Sequence, residues 1–201
     1  VTTGGKLLEI TKEKEFDIVK VTPGFQPRAA LGFSMALNLL LLEKINLIPV
    51  ETMTSLLNNS LDKLNESSKK LSDYTNSNLA IEFSKNIHDK FPVIYAGEGW
   101  QANCALRMRG QLAENAKILG SHLNFPEQNH NEIEGWTCND DILKNTVICW
   151  IMDESDHPQV EKRMQITKEL LEQYPSNQII LKLEGETDVE RALCMIHLID
   201  W

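Results

Sequence analysis

At 201 residues the chain has room for one large domain or two small ones. Apolar residues make up 42% and charged residues 24%, an ordinary globular balance, and a net charge of −9 excludes the basic stripe of a general nucleic-acid surface. No stretch approaches the roughly 20 apolar residues of a membrane-spanning helix; the densest run, Leu37 to Leu42, is short and followed by charge.

Gly4-Gly5 is a glycine turn opening a short helix that runs to about Glu15. Phe16 to Thr22 reads as a strand, with Ile18, Val19 and Val21 apolar, and Pro23-Gly24 turns the chain. Pro27 suits the first turn of a helix over Ala29 to Ile45. That helix is apolar on most sides and is expected to be buried on most sides. Val50 to Ser72 is a second helix, with Met53, Leu56, Leu57, Leu61, Leu64 and Leu71 at helical spacing. A polar break over Asp73 to Asn78 precedes an amphipathic helix, Leu79 to Lys90, and a strand, Pro92 to Tyr95.

The stretch from Phe91 to Trp136 is the most informative. Its strand enters the turn Gly97-Glu98-Gly99, a long amphipathic helix carries Glu114, and a polar loop delivers His130 and Glu132. Thr146 to Met152 is nearly continuously apolar, as buried parallel strands are. Asp153 to His157 is a loop, Pro158 to Tyr174 a helix, Gln178 to Leu183 a strand, and a helix starts at Val189. Strands alternating with helices from Phe91 onward predict an α/β fold, doubly wound around a mainly parallel sheet. The first fifty residues read as the tail of a similar unit.

Cys104, Cys138, Cys149 and Cys194 form no CxxC pair and read as small buried hydrophobes of a reducing compartment. Glycines at a strand-to-helix turn let backbone N–H groups face an anion, so Gly97 is a candidate ligand contact; a tight turn without a ligand fits equally. Glu114 shares a helical face with Arg107, Gly110 and Lys117. It is either an exposed member of an ion pair or a carboxylate with room for a ligand beside Gly110. His130 is either a proton carrier or part of a plain surface loop. Arg28 opens a helix and could hold a phosphate or enediolate, or form a salt bridge. His122, His130 and Glu132 match no tight metal-ligand spacing.

Three blocks together carry a resemblance: Thr3-Gly4-Gly5-Lys6-Leu7, Gln26-Pro27-Arg28-Ala29-Ala30-Leu31-Gly32, and Glu114-Asn115-Ala116-Lys117 continuing to Phe125-Pro126-Glu127-Gln128-Asn129-His130-Asn131-Glu132-Ile133. A late segment, Glu186 to Arg191 and His197 to Trp201, adds to them. The chain resembles the bifunctional phosphoglucose/phosphomannose isomerases, which are built from two sugar-isomerase (SIS) domains. The resemblance implies a three-layer α-β-α SIS-type sandwich. Residues 1–49 would be the tail of the first SIS domain, 50–78 a linker helix and loop, and 79–201 a second, C-terminally incomplete SIS domain.

It further implies a cytoplasmic homodimer that interconverts glucose or mannose 6-phosphate with fructose 6-phosphate through a cis-enediol. No cofactor, metal, nucleic acid or membrane is implied. Glu114 resembles the catalytic base, His130 the histidine that helps open the sugar ring from across a dimer interface, and Arg28 the arginine that stabilises the enediolate. Gly4, Gly5, Gly97 and Asn129 are the expected substrate-binding positions. The family's Ser/Thr-rich phosphate loop precedes the segment resembling Val1, and its ring-opening lysine follows Trp201. The competing readings are a non-catalytic sugar-phosphate-binding or regulatory SIS domain and a dimerisation module.

Overall fold

The computed structural model describes residues 1–138 and 140–201. Contacts divide the chain into two units, Val1–Leu57 and Asn58–Trp201.

In the first unit, helix α1 (Gly5–Glu13) is followed by a 3-10 turn, Pro27–Ala30, helix α2 (Leu31–Lys44) and the start of α3 (Thr52–Leu71). Gly4 and Gly5 adopt φ values of 147° and 65°, so the entry to α1 uses backbone that side chains disfavour. The strand expected over 16–22 does not form. Its segment makes one parallel bridge, Thr2 to Lys20, with hydrogen bonds from Thr2 N–H to the Val19 carbonyl and from Val21 N–H to the Thr2 carbonyl. The apolar spacing is present, but a strand needs a ladder of partners, and the unit supplies one residue. Nor is α2 buried on most sides. None of its residues is buried, and Phe33, Leu40, Leu41 and Leu42 are exposed by a third or more.

The second unit is built on a parallel four-stranded sheet: β1 (Phe91–Ala96), β2 (Ser121–Asn124), β3 (Thr146–Ile151) and β4 (Asn177–Leu181), ordered β2-β1-β3-β4. Helices α4 (Leu79–Ile87), α5 (Trp100–Gln111), α8 (Pro158–Leu170) and α9 (Asp188–Asp200) accompany the sheet, with the one-turn helices α6 (Glu132–Gly135) and α7 (Asp140–Leu143) between β2 and β3. Residues 92–96 of β1 and all of β3 are buried. Alternation along them separates two cores. Ile94, Ala96, Val147, Cys149 and Ile151 pack with Ile87, Cys104, Met108, Met195 and Leu198 from α4, α5 and α9. Val93, Tyr95, Ile148 and Trp150 pack with Phe125, Trp136, Met164 and Leu171 on the other face. The doubly wound α/β fold expected from the strand and helix order, and the three-layer arrangement implied by the resemblance, are therefore observed. Three cysteines are buried as expected, but Cys138 is exposed because it follows α6, outside both cores.

Strand β2 has no counterpart in the sequence reading. Ser-His-Leu-Asn contains one apolar residue, and its place is fixed by pairing: Val93 to Ser121 through Ala96 to Asn124. Helix α5 is also shorter than expected. It ends at Gln111, and Leu112–Ala116 form a single π turn closed by Lys117 in the left-handed region (φ 62°). The Ile118 N–H reaches back to the Leu112 carbonyl at 3.0 Å.

One buried ion pair ties α9 to the end of β3. Arg191 donates from Nε to Asp153 Oδ2 (2.8 Å) and from Nη2 to Asp153 Oδ1 (3.1 Å), with side chains only 4% and 1% exposed. Its remaining donors reach the Gly185 carbonyl, Glu154 and Asp188. Burial raises the Asp153 carboxyl, but hydrogen bonds from Arg191 and Ser155 outweigh it and hold the group below the usual carboxylate range. Because the folded value is depressed, this stabilisation is present above the unfolded value of about 4 and is lost as pH falls through the folded one. Arg191→Ala leaves a buried carboxylate without its cation and is expected to cost about 3–5 kcal/mol in urea denaturation at pH 7. That deficit should narrow as the Asp153 carboxyl protonates; a deficit that stays constant to low pH would place its origin elsewhere.

Candidate functional site

The order β2-β1-β3-β4 reverses direction at β1, since the chain steps to β2 on one side and then to β3 on the other. In open α/β sheets, ligands gather outside the carboxyl ends of the strands at such a point. Three loops meet that edge here: 97–99 after β1, 125–131 after β2 and 152–157 after β3. Gly97, Asn129 and His130 all lie on them.

Gly97 is buried against Asp156. A Cβ there would lie 1.9 Å from Asp156 Oδ1. Asp156 Oδ2 accepts the Asp153 N–H (2.9 Å), while Oδ1 is buried without a hydrogen-bond partner among the described residues. The protein's own carboxyl therefore fills the space beside the glycine turn. Burial pushes the Asp156 carboxyl up, Asp153 and Glu161 add to the rise, and the Asp153 N–H and Lys182 offset part of it.

The 125–131 loop is held at several points. It starts at the cis Phe125-Pro126 bond, with the Phe125 N–H donating to the Ala96 carbonyl (2.8 Å). A 3-10 turn, Glu127–Asn129, follows, and the His130 N–H donates to the Glu127 carbonyl. Asn129 Nδ2 donates to Thr167 Oγ1 (2.9 Å) on α8 and to Gln128 Oε1 (3.0 Å), so its amide hydrogens are engaged within the protein. The His130 side chain itself is exposed. Just beyond, Tyr95 of β1 donates to Glu132 Oε1 (2.6 Å) and accepts from Trp136 Nε1 (2.8 Å).

Glu114 lies at the opposite edge. Gly120, just before β2, sits against the Pro92 carbonyl at the start of β1, and the π turn carrying Glu114 precedes it. Six residues of β1, about 3.3 Å each, separate the two edges by on the order of 20 Å. Glu114 is exposed at the end of α5 rather than mid-helix, and Lys117 Nζ donates to its main-chain carbonyl. A Cβ on Gly110 would meet nothing within 4 Å, so there is open space one turn earlier. Nearby, Asp200 accepts from Arg107 Nη2 (2.7 Å) and Gln111 Nε2 (2.5 Å), joining α5 to the end of α9. Arg28, exposed on its 3-10 turn, and Gly4 and Gly5 belong to the first unit.

The second unit thus gathers Gly97, Asn129 and His130 at one edge and sets Glu114 at the other. Sequence reading missed Tyr95, Trp136, Asp153, Asp156 and Arg191. Two carboxylates in the loop after a nearly continuously apolar strand were the available signal for Asp153 and Asp156; a tyrosine inside an apolar strand gave none. Among the described residues, no group of three or more His, Cys, Asp or Glu is placed to hold a metal ion, and no helix is long and apolar enough to cross a membrane.

The family model for the bacterial phospho-glucose isomerase C-terminal SIS domain matches residues 76–201. The bifunctional phosphoglucose/phosphomannose isomerase of Aquifex aeolicus is 36% identical over all of this chain, which covers 58% of that protein. Its namesake in Caldicellulosiruptor bescii is 34% identical, again over the whole chain and 59% of the relative. Among solved structures, Escherichia coli tagatose-6-phosphate ketose/aldose isomerase superposes with a TM-score of 0.66 at 15% identity, over 98% of this chain and 56% of that one. A glucose-6-phosphate isomerase like protein from Thermus thermophilus gives 0.63 at 13%, over 77% and 52%. At these identities the structural likeness establishes the fold.

The Asp156 geometry makes a prediction of opposite sign to that for Asp153. A carboxyl whose folded pKa is raised stabilises fully below the unfolded value near 4 and loses that contribution as pH rises through the folded value. Asp156→Asn keeps an acceptor for the Asp153 N–H and has no charge to bury. The stability of Asp156→Asn relative to the unsubstituted chain is expected to rise between pH 4 and pH 7, read by thermal denaturation. A pH-independent difference would show that Asp156 titrates normally.

Proposed function

The chain belongs to the bacterial phospho-glucose isomerase family through its C-terminal SIS domain, and from that membership we propose that it forms part of an aldose–ketose isomerase of hexose 6-phosphates. It spans under three fifths of the relatives' length, so the activity is assigned to the longer protein. Residues 1–49 are read as the tail of a first SIS domain, 50–78 as linker, and 79–201 as most of a second. The proposed setting is the cytoplasm and the proposed assembly a homodimer.

In the proposed mechanism His130 assists opening of the sugar ring. Glu114 then removes the proton on the carbon next to the carbonyl and returns it to the neighbouring carbon, moving it between C2 and C1 through a cis-enediol. Arg28 supplies fixed positive charge where the enediolate develops. Gly4, Gly5, Gly97 and Asn129 line the path of the substrate or shape its loops. The observation that carries this reading is the match of the whole chain to isomerases at 34–36% identity. The placement of Glu114 and His130 at opposite edges of one sheet supports the dimer, since one copy of the sheet cannot present both to a single sugar.

Glu114→Gln in the longer protein is expected to lower kcat by roughly 10²–10⁴-fold, the range for a general base, in a coupled assay of fructose 6-phosphate conversion. Binding should survive, read as a thermal shift with the same sugar phosphate. Turnover within tenfold of the unsubstituted protein would remove Glu114 from this role. The 201-residue chain assayed alone is expected to turn over little or no substrate.

A further inference from the structure

His130 is exposed, yet the chain on either side of it is anchored inward. One residue before, Asn129 binds Thr167, which is buried on α8. Two residues after, Glu132 accepts from the hydroxyl of Tyr95 at 2.6 Å. Tyr95 is fully buried in β1, and its ring packs on Phe125 (centroids 5.9 Å) and Trp150 (5.2 Å). Its hydroxyl also accepts from Trp136 Nε1, four residues past Glu132. A single buried hydroxyl therefore pins both ends of α6, the helix that begins two residues after His130.

The chemistry of this contact is specific. A phenol donating to a carboxylate makes a short, charge-assisted hydrogen bond with a defined direction. Tyr95 is also closely packed, on a strand buried on both faces and in one core cluster with Phe125, Trp136 and Trp150. Burial and the neighbouring carboxylate of Glu132 push the Tyr95 hydroxyl well above the ordinary phenol range, so it stays a donor at any physiological pH. Phenylalanine would fill the strand position equally well. The hydroxyl is the part that packing does not require.

We infer that Tyr95 and Glu132 are a positioning pair for His130, transmitting the rigidity of the central strand to an imidazole that the fold otherwise leaves on the surface. This rests on the reading of His130 as a ring-opening residue and adds the group that aims it. Aiming matters because small displacements of a reacting group cost large factors in rate.

The experiment uses the longer protein and hexose 6-phosphate turnover. Tyr95→Phe is expected to lower kcat by about ten- to a hundredfold with KM within twofold, because substrate still binds while the imidazole wanders. Glu132→Gln retains an oxygen that accepts from Tyr95 and should keep at least a third of the turnover, whereas Glu132→Ala should match Tyr95→Phe. If Tyr95→Phe fails to fold, having left the Trp136 N–H without an acceptor, the Glu132→Ala and Glu132→Gln pair decides. Normal turnover in Glu132→Ala overturns the inference, and so does equal loss in Ala and Gln. His130→Ala serves as the separate control. If it abolishes turnover while Tyr95→Phe does not, the positioning role falls and the proposed function stands. If it leaves turnover unchanged, the assignment of His130 fails and the positioning role with it.

Discussion

Burial of β1 and β3 on both faces is the constraint from which the rest of the second unit follows. A strand buried on both faces has no room for a charged side chain along its length. Parallel neighbours also require helical crossovers, which supply the two covering layers. Charge is therefore driven to the strand ends. Asp153 and Asp156 appear within five residues of the end of β3, and the Gly97–Gly99 turn follows β1 directly. Both carboxyl groups are buried there with opposite outcomes. Arg191 offsets the desolvation of Asp153, while at Asp156 Lys182 offsets only part of it and the group is pushed toward its neutral form.

Much of this was legible in the amino-acid order. The run Thr-Val-Ile-Cys-Trp-Ile had to be a buried strand, and the alternation of apolar runs with helical periodicities set the fold class. Where the reading failed, a partner was missing from the local pattern. Phe16 to Thr22 has strand-like spacing but finds a single bridging residue. Ser121 to Asn124 lacks the spacing but pairs fully with β1, so it becomes a strand. Leu39 to Leu42 has the composition of a core helix without a covering layer in its own unit. The periodicity of α5 continues past Gln111 and so puts Glu114 mid-helix, and nothing in that periodicity marks a π turn. The candidate site residues were suggested by resemblance to a family. The groups that hold them, Tyr95 above all, were not, because a hydroxyl directed inward from an apolar strand has no sequence signature.

The carboxyl edge of the sheet combines fixed and free elements. The loop bearing His130 is tied to β1 through Phe125 and Tyr95 and to α8 through Asn129, while its imidazole remains accessible. The glycine turn beside it is closed by Asp156. An exposed imidazole on an anchored loop is suited to reach outward from its own sheet, as the proposed dimer would require. Glu114, on the far edge, is exposed in the same way.

The π turn at Leu112–Ala116 has a consequence for how Glu114 is specified. Each residue of an α-helix advances about 100° around the axis, and a π turn inserts one residue into that count. The direction in which Glu114 faces is thus set by the number of residues between Gln111 and Lys117 as well as by their identity. A one-residue deletion that let α5 run on as regular helix would preserve every candidate side chain and still swing the carboxylate a quarter-turn or more away. In this segment chain length acts as a phase, and a phase error cannot be repaired by substituting a residue.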